Sequence, residues 1–337
     1  MKITAHKKAV PLPKKSLLTG APGWLGTRFA ELAAPKIPLR CLVLDGMSTS
    51  ELASLPLEIV RGDVTKPETL PKTCEGIDTV FHCVGIIHPK NAQDFIHINV
   101  DGTRNMLEAS IKAGVRRFIY ISSNSAQGFN RSRNELMKEI DLCKPESGYG
   151  RSKFMAEELV RKYGEHYKME TVILRPCLYY GPRAPDRMLT LFKLVKSGRP
   201  LVFGDGLNLR SMTYIDNLIQ AMLLVQRHPY AKNKTFWIAD KRPYTTIEVM
   251  QTIAELLGVM IKPLHIPRIV ARMVEIADTL YDELGGYAMN LHVVGETVRD
   301  IGCSIERAEK ELGYVPEIDL KEGMRRTIEW AKQNGKL

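Results

Sequence analysis

Cysteine is scarce in this sequence, and its spacing is unlike that of a metal or disulfide site. The 337 residues include six cysteines, and no two of them form a CxxC pair. Structural zinc sites and disulfide frameworks need cysteines at close or regular spacings. We therefore expect no metal, and free thiols that are mostly buried. The six are Cys41, Cys74, Cys83, Cys143, Cys177 and Cys303.

Long apolar runs are also missing. The longest, such as 118–121 and 171–174, have the length of strands, well short of the roughly 20 residues that span a bilayer. The first fifteen residues carry five lysines, but no apolar core of signal-peptide length follows them. These absences predict a cytoplasmic protein with no stable membrane insertion.

Basic residues exceed acidic ones without forming a patch. Lysine and arginine number 48 against 38 aspartate and glutamate residues, which gives a net charge of +10. The basic residues are scattered, and no platform of interleaved aromatic and basic side chains indicates a nucleic-acid surface. We expect no nucleic-acid partner. The excess charge favours an anionic cofactor or substrate, or a merely solvated surface.

What the sequence does contain is an alternation of short apolar runs and amphipathic stretches between residues 15 and 175. Such alternation is typical of βαβ units around a parallel sheet. The chain therefore predicts an α/β fold with a Rossmann-type, doubly wound parallel sheet. The predicted strands are 16–19, 40–44, 58–61, 79–83, 118–122 and 171–174, and the predicted helices between them are 24–33, 95–113 and 149–167.

A glycine-rich turn follows the first predicted strand and opens the first predicted helix. Gly20, Gly23 and Gly26 have the spacing of a dinucleotide-binding turn, with Trp24 and Leu25 between the last two glycines. Glycines let the backbone approach a pyrophosphate, whose charge is met by free N–H groups at the helix start. A plain structural turn is the alternative.

Carboxylates follow the second and third predicted strands. Asp45 comes where a Rossmann fold places the acid that binds the adenosine ribose, and it would repel the extra phosphate of NADP. NAD is therefore preferred over NADP, although a turn aspartate without a ligand is the alternative. Asp63 and Val64 are expected to lie near the adenine.

The fourth predicted strand ends in small residues at the edge of the sheet where ligands gather. Cys83, Val84 and Gly85 come at this carboxyl end. We therefore expect all three to line the cofactor site.

Beyond Arg175 the pattern loosens, because proline and glycine interrupt it repeatedly. This predicts a smaller C-terminal substrate-binding lobe. We predict a basic extension over 1–14, an NAD-binding Rossmann domain over 15–176 and mainly a substrate-binding lobe over 177–337, with 207–240 returning to the Rossmann sheet. The helices predicted in this part are 216–226, 246–257, 267–284, 305–312 and 320–333.

Tyr149 and Lys153 carry the chemistry. A four-residue spacing on a helix puts the phenol and the ammonium on one face. The ordinary pKa of tyrosine is about 10, and a neighbouring cation that stabilised the phenolate would make Tyr149 an acid or base near neutral pH. Lys153 can also hold the nicotinamide ribose. Ser123, at the end of the fifth predicted strand, supplies a hydroxyl for the substrate oxygen.

These motifs together resemble the extended short-chain dehydrogenase/reductase family, which comprises NAD-dependent epimerases, dehydratases and hydroxysteroid-type dehydrogenases. The resemblance covers nearly the whole chain. It includes the opening motif at 19–26, the central helix at 98–103, the YxxxK signature at 149–153 and the ending from 311 to 330.

The resemblance implies roles for further residues. Asn99 would support the lysine through water, and the backbone at Pro176 and Leu178 would contact the nicotinamide amide. It also implies a homodimer that pairs through the helices at 95–113 and 149–167. Gln127 stands where the family usually has a tyrosine, so the wall beside the reacting carbon is expected to differ.

Substrate contacts are assigned to three residues. The segment 204–217 resembles the one that aims an arginine at the diphosphate in sugar-nucleotide members of the family, which implies that Arg210 is the diphosphate ligand. An exposed loop arginine is the alternative. His88 is either a polar contact or a plain loop residue, and Ser125 is the third candidate.

Three functions follow from this site. The first is an NAD-dependent epimerase or dehydratase that acts on a nucleotide-activated sugar through a transient keto intermediate, which Arg210 favours. The second is a hydroxysteroid- or dihydroflavonol-type dehydrogenase/reductase on an apolar alcohol or ketone, which Leu178 favours because many sugar-nucleotide members carry asparagine there. The third is a non-catalytic NAD-binding protein.

Overall fold

The structure is a computed structural model that describes residues 15–87, 89, 91–283 and 294–337. Seven parallel strands form its central sheet, in the order β11-β6-β5-β4-β1-β2-β3. The order of the strands reverses between β1 and β4, because β2 and β3 are added on one side of β1 and the later strands on the other. This makes the gap between β1 and β4 the switch point of a doubly wound sheet. The strands are β1 Ser16–Thr19, β2 Leu39–Val43, β3 Glu58–Arg61, β4 Thr79–His82, β5 Arg117–Ile121, β6 Glu170–Pro176 and β11 Lys234–Ile238.

Helices cover both faces of this sheet. On one face, apolar residues of α1 and α6 share a core with the strands, and the Arg28 side chain on α1 binds Asp216 on α6 through two hydrogen bonds of 2.8 and 2.9 Å. On the other face α3 and α4 form a second core with the strands. The α/β Rossmann fold is therefore confirmed. The helices are α1 Trp24–Ala33, α2 Pro71–Cys74, α3 Gly102–Lys112, α4 Gly148–His166 and α6 Ile215–Arg227.

A third core lies under the smaller strand pairs of the C-terminal half. There β7 pairs with β10, β9 with β12 and β8 with β13. The strands are β7 Leu178–Tyr180, β8 Leu201–Phe203, β9 Leu209–Arg210, β10 Met212–Tyr214, β12 Tyr244–Thr245 and β13 Leu264–Ile266, and the helices are α5 Asp186–Lys196, α7 Thr246–Leu257, α8 Arg268–Glu283, α9 Glu306–Leu312 and α10 Leu320–Gln333. Within the described part of the chain, every helix is too short or too polar to cross a bilayer.

The helix predicted at 95–113 begins differently from a regular α-helix. Its first two turns, Phe95–Asp101, are a π-helix, and α3 continues from Gly102. Asn99 lies in this widened stretch, and its buried side chain turns toward the end of β4. Single π-helical turns occur often at functional sites. The departure from regular geometry therefore places a polar side chain at the edge of the sheet.

Candidate active site

A cavity of 840 Å³ runs along the carboxyl edge of the sheet and into the C-terminal half. Seventeen of the residues singled out in the sequence line it. They are Gly20, Gly23, Trp24, Leu25, Gly26, Asp63, Val64, Cys83, Val84, Gly85, Ser123, Ser125, Tyr149, Lys153, Pro176, Leu178 and Arg210. Asp45 and Asn99 are not part of its wall, and His88 lies outside the described residues.

The glycine-rich turn leaves no room for side chains. A Cβ on Gly20 would lie 2.9 Å from the backbone carbon of Cys83, and one on Gly26 would lie 2.5 Å from the Gly20 carbonyl oxygen. Gly20 also has φ +91°, a conformation that L side chains rarely adopt. The turn thus brings bare backbone and the start of α1 to the cavity, which is the geometry that suits a pyrophosphate.

Trp24 connects this turn to the C-terminal half. Its indole Nε1 donates to the carbonyl oxygen of Pro182 at 2.8 Å. The same ring lies 5.0 Å from the ring of Tyr179 on β7. The first residue of α1 is therefore in direct contact with the lobe that closes the cavity.

Asp45 is exposed in the turn after β2 and is not part of the cavity wall. Strand β2 ends at Val43, one residue earlier than predicted, so Asp45 falls in the turn that follows and is exposed. Arg61 fixes this turn by donating to the carbonyl oxygens of Leu44 and Met47 at 3.0 and 2.9 Å. Leu44 and Met47 reach the cavity instead. A contact between Asp45 and the ribose stays a prediction.

Ser123 and Tyr149 meet where β5 ends and α4 begins. Ser147 caps α4 by accepting from the backbone N–H of Gly150 at 3.0 Å, which fixes Tyr149 in the first turn. A Cβ on Gly150 would collide with the Ser125 carbonyl oxygen, so glycine lets the helix start approach the end of β5 closely. The Ser123 hydroxyl lies near the Tyr149 phenol and favours its ionised form, which acts to lower the pKa of Tyr149.

The pKa of Tyr149 is the reverse of the sequence expectation. Burial raises it above the ordinary value, and the nearby Ser123 hydroxyl opposes this rise only in part. Lys153 does not offset the burial, because its Nζ donates to the carbonyl oxygen of Ile121 at 2.7 Å and lies 4.3 Å from the centre of the Tyr120 ring. The expected lowering of the tyrosine pKa is therefore wrong for the protein without its ligands.

Lys153 is buried, and its charge is costly there. Desolvation lowers the pKa of its ammonium to about 7, although the negative charge of Glu157 opposes that shift. An amine that titrates near neutral pH can change its charge under ordinary conditions. The charge on Lys153, and with it the electrostatic environment of Tyr149, thus depends on what fills the cavity beside these two residues.

The lowered pKa of Lys153 predicts a pH-dependent stability. Between about 7 and the ordinary value of 10.5, the unfolded chain binds a proton that the folded chain lacks, so stability rises with pH. From about pH 7 to about pH 9, the cofactor-free wild type should gain about 2 kcal/mol more unfolding free energy than Lys153→Met. Urea unfolding measures this. Lys162→Met, at an exposed lysine of the same helix, should behave as wild type, and equal gains in all three proteins would contradict the prediction.

Asn99 holds the segment after β4. Its side-chain oxygen accepts from the backbone N–H of Ile86 at 2.7 Å, and its amide donates to the Ile86 carbonyl oxygen at 3.1 Å and to the Ser152 hydroxyl at 2.9 Å. A Cβ on Gly85 would lie 3.6 Å from both the Asn99 oxygen and the Lys153 nitrogen. Asn99 therefore ties the β4 loop to α4 beside Lys153.

A buried ion pair behind Lys153 escaped the sequence analysis. Glu157 and Arg175 are fully buried, and the carboxylate accepts from the guanidinium at 2.8 and 2.6 Å. Glu157 also accepts from Ser122 at 2.6 Å and from Arg161 at 2.6 Å. The sequence signal that could have identified Glu157 is its position four residues after Lys153, on the same face of α4.

Gln127 belongs to this buried group and not to the cavity. Its side-chain oxygen accepts from Arg175, and its amide donates to the Lys138 carbonyl oxygen at 2.8 Å. Gln127 is absent from the cavity wall. The need of the buried guanidinium for an acceptor turns this side chain inward, and the expected difference in the wall beside the reacting carbon stays a prediction.

The far end of the cavity combines charge with apolar surface. Arg210 donates to the Glu296 carbonyl oxygen at 2.6 Å. Burial raises the pKa of Tyr149 and of Tyr179, and the charge of a second arginine, Arg187, partly opposes that rise. The exposed-loop alternative for Arg210 does not hold, since it lies in β9 and lines the cavity. The apolar residues of this end are Leu178, Met188, Leu191, Met250 and Ile301.

Free thiols are found at all six cysteines, and four of them are buried. Among the described residues, no three His, Cys, Asp or Glu side chains are grouped so as to hold a metal ion. The cavity therefore offers the bare backbone at the glycine-rich turn for an anionic cofactor, and hydroxyl, phenol and amine groups at its centre.

Comparison with known protein sequences gives one family match. The sequence model of the NAD dependent epimerase/dehydratase family matches residues 16–239. A protein of Sinorhizobium fredii, named only as uncharacterized protein y4nL, is 39% identical over 95% of this chain and 95% of its own length. UDP-glucose 4-epimerase of Vibrio cholerae is 27% identical over 94% and 95%. A 3beta-hydroxysteroid-dehydrogenase/decarboxylase of Arabidopsis thaliana is 28% identical over 90% of this chain and 57% of its own.

Solved structures share the fold. The crystal structure of gox2253 has a TM-score of 0.81 at 22% identity, covering 96% of this chain and 99% of that one. MoeE5 in complex with UDP-glucuronic acid and NAD has a TM-score of 0.74 at 23% identity, with 95% and 99% covered. These similarities extend beyond the Rossmann half to almost the whole chain.

Proposed function

The chain belongs to the NAD-dependent epimerase/dehydratase family, and from this we propose that it is an epimerase or dehydratase acting on a nucleotide-activated sugar. Its cofactor is NAD. The observation that carries the proposal is the single cavity that joins the glycine-rich turn, the Ser123, Tyr149 and Lys153 group, and Arg210. A dinucleotide, a reacting hydroxyl and a diphosphate would each find matching groups in that order along the cavity.

The cofactor fits the residues at one end of this cavity. Gly20, Gly23 and Gly26 would hold the pyrophosphate against bare backbone at the start of α1, where any Cβ would fill the space. Asp63 and Val64 would lie beside the adenine end, and Lys153 would hold the nicotinamide ribose. When bound, NAD supplies a hydride acceptor and a positive charge on its oxidised ring.

The residues at the centre would move the proton. Tyr149 takes it from the sugar hydroxyl, and Ser123 holds the same oxygen by a hydrogen bond, because these two side chains already contact each other. Positive charge is needed to bring the raised pKa of Tyr149 down toward neutral pH. Protonated Lys153 and an oxidised nicotinamide would both supply it beside the phenol.

Arg210 would bind the diphosphate of the substrate. Arginine matches phosphate oxygens geometrically, and removal of a charged hydrogen bond at a desolvated site is costly. We expect Arg210→Met to weaken binding of UDP-glucose or a related nucleotide sugar by about tenfold to a hundredfold, measured by calorimetry. The control is Arg131→Met, an exposed arginine outside the cavity wall. Equal affinities in the two variants would show that Arg210 is not the anion ligand.

Oxidation or reduction of an apolar alcohol or ketone is the second candidate function. It is favoured by Leu178 and by the methionine and leucine side chains that line the substrate end of the cavity. The similarity to a hydroxysteroid dehydrogenase/decarboxylase supports it too. In that reaction NADH would leave after each turnover.

We also propose that the protein is a homodimer located in the cytoplasm. Ile96 on the π-helix and Met155 on α4 are 39% and 44% exposed, which leaves apolar surface on the two segments expected to pair. Light scattering of the purified protein would give the mass of one chain or of two.

Cofactor retention separates the two candidate functions. The purified protein is denatured without added cofactor, and the released nucleotide is identified by absorbance and mass spectrometry. Stoichiometric NAD, followed by conversion of a UDP- or dTDP-sugar, would support the internal hydride cycle of an epimerase or dehydratase. An empty protein that oxidises or reduces apolar alcohols or ketones would overturn the sugar-nucleotide proposal.

A further inference from the structure

His82 is a fully buried histidine at the end of β4 that has no part in the proton transfer proposed above. Its ring lies 5.5 Å from the ring of Phe118 and 6.0 Å from that of Tyr120, both on β5. Burial lowers the pKa of His82 to about 3, and the charge of Lys153 acts in the same direction. The imidazole is therefore neutral at ordinary pH, with one ring nitrogen that donates and one that accepts.

Each ring nitrogen of His82 meets a buried threonine hydroxyl. Nδ1 lies 2.9 Å from Oγ1 of Thr19, the last residue of β1, and Nε2 lies 3.1 Å from Oγ1 of Thr103 on α3. All three side chains are fully buried, so water does not compete for these hydrogen bonds. One imidazole thus joins β1, its own strand β4 and α3.

The partners of the two hydroxyls decide which ring nitrogen carries the proton. Thr103 donates its hydroxyl hydrogen to the Asn99 carbonyl oxygen at 2.6 Å, so its oxygen accepts from the ring. Nε2 is then the protonated nitrogen, and Nδ1 accepts from Thr19. The Thr19 oxygen in turn accepts from the backbone N–H of Cys83 at 3.2 Å. The hydrogen bonds therefore run in one direction, from Cys83 through His82 to Asn99.

Both ends of this chain of hydrogen bonds lie at the proposed cofactor site. Thr19 directly precedes the glycine-rich turn, and Cys83 lines the cavity. At the other end, Asn99 ties the loop after β4 to α4 beside Lys153. His82 itself is not part of the cavity wall. It can therefore act on the cofactor only through the residues that it holds.

We propose that His82 is a positioning residue for NAD. Through Thr19 it fixes the glycine-rich turn, which would hold the pyrophosphate. Through Thr103 it fixes Asn99, which holds the loop beside Lys153. Because the turn and the lysine bind different parts of one dinucleotide, their relative placement must match it. This role rests on the proposed NAD contacts of the turn and of Lys153, and on no property of the substrate.

Nitrogen-15 NMR of the histidine rings in the full-length protein tests the direction of the hydrogen bonds. The chain has eight histidines, and the signal of His82 is the one missing from the spectrum of His82→Gln. We expect a ring that is protonated at Nε2 and stays neutral between about pH 8 and about pH 5. A ring protonated at Nδ1, or one that titrates in this range, would overturn the proposal.

The variant Thr103→Val tests the effect on the cofactor. Valine keeps the shape of the side chain but removes the hydroxyl that joins His82 to Asn99. We expect NAD to bind about threefold to tenfold more weakly, which corresponds to the net value of one hydrogen bond. Fluorescence titration of the folded proteins measures the dissociation constant.

The matched control is Thr327→Val on α10. Thr327 is also fully buried, and its hydroxyl donates to the carbonyl oxygen of Gly323, four residues earlier, at 2.7 Å. Both variants lose a buried hydroxyl of the same kind, but Thr327 lies in the C-terminal half and outside the cavity wall. The control should bind NAD as wild type does. Equal NAD affinities of Thr103→Val and wild type would overturn the proposal, as would equal weakening in the two variants.

His82→Gln takes the place of Thr103→Val if that variant does not fold. The glutamine amide nitrogen can stand where Nε2 stands, but the Thr19 hydroxyl loses its acceptor. The same weakening of NAD binding is expected, and an unchanged affinity would overturn the proposal. Neither measurement uses a sugar. A wild type that binds NAD but converts no nucleotide sugar would therefore overturn the proposed function alone.

Discussion

Tyr149→Phe is expected to reduce kcat by about a thousandfold while NAD still binds. Phenylalanine keeps the ring that packs 6.1 Å from Phe95 but removes the hydroxyl that the Ser123 side chain contacts. Without that hydroxyl the proposed proton acceptor of the reaction is lost. Turnover of the substrate found in the sugar and alcohol screens measures kcat, and fluorescence titration measures NAD binding.

The matched control is Tyr163→Phe, which removes a phenol hydroxyl about four turns later on α4. That hydroxyl donates to Glu108 at 3.3 Å on the surface, away from the cavity. Its loss should leave kcat unchanged. A Tyr149→Phe protein with full turnover would remove tyrosine from the proposed mechanism. If no substrate is turned over by either protein while NAD binding persists, the third function, a non-catalytic NAD-binding protein, would be favoured.

Glu157→Gln is expected to lower the unfolding free energy by about 3–5 kcal/mol. The substitution keeps the shape of the side chain but leaves the fully buried Arg175 guanidinium without its counter-charge. Breaking a buried ion pair costs far more than a surface pair is worth, because the remaining charge stays desolvated. Urea unfolding of the two proteins at neutral pH measures the difference.

The neighbouring Glu158→Gln provides the control. Glu158 is 58% exposed and pairs with Arg161 on the helix surface, so its loss should cost less than about 1 kcal/mol. Similar losses of unfolding free energy in Glu157→Gln and Glu158→Gln would contradict the stabilising role of the buried ion pair. Glu157→Gln should also lower the pKa of Lys153 further, since the glutamate charge favours the protonated amine. The pH dependence of stability described for Lys153 would then begin at a lower pH.

The regular part of the fold could be predicted because its pattern is periodic. Strands β1 and β3 and helices α1 and α7 have the bounds that the apolar spacing gives. The π-helical start at Phe95–Asp101 could not be found in this way, because π- and α-helical turns bury nearly the same positions over two turns. Asn99 in this stretch bonds reciprocally to the backbone of Ile86, 13 residues earlier, a contact that apolar spacing does not reveal.

The candidate site likewise has features that the sequence could predict and features that it could not. The glycine turn and the Tyr149–Lys153 spacing are local, so the sequence places them correctly in one cavity. The direction of the tyrosine pKa is not local, because it depends on how deeply the assembled lobes bury the phenol. Arg175 and Glu157 were missed for a related reason, since a buried charge is recognised only when its partner, 18 residues away, is known.

Trp24 is expected to link binding at the two ends of the cavity. Its indole donates to the Pro182 carbonyl oxygen and its ring lies 5.0 Å from that of Tyr179, while its backbone follows the glycine-rich turn that we propose to hold the dinucleotide. A ligand that orders that turn also orders the strand and loop beyond it, so part of the conformational entropy is lost only once. Whatever factor NAD adds to substrate affinity, substrate must add to NAD affinity by thermodynamic reciprocity. Tight retention of the dinucleotide and discrimination among substrates are then two expressions of the same coupling free energy.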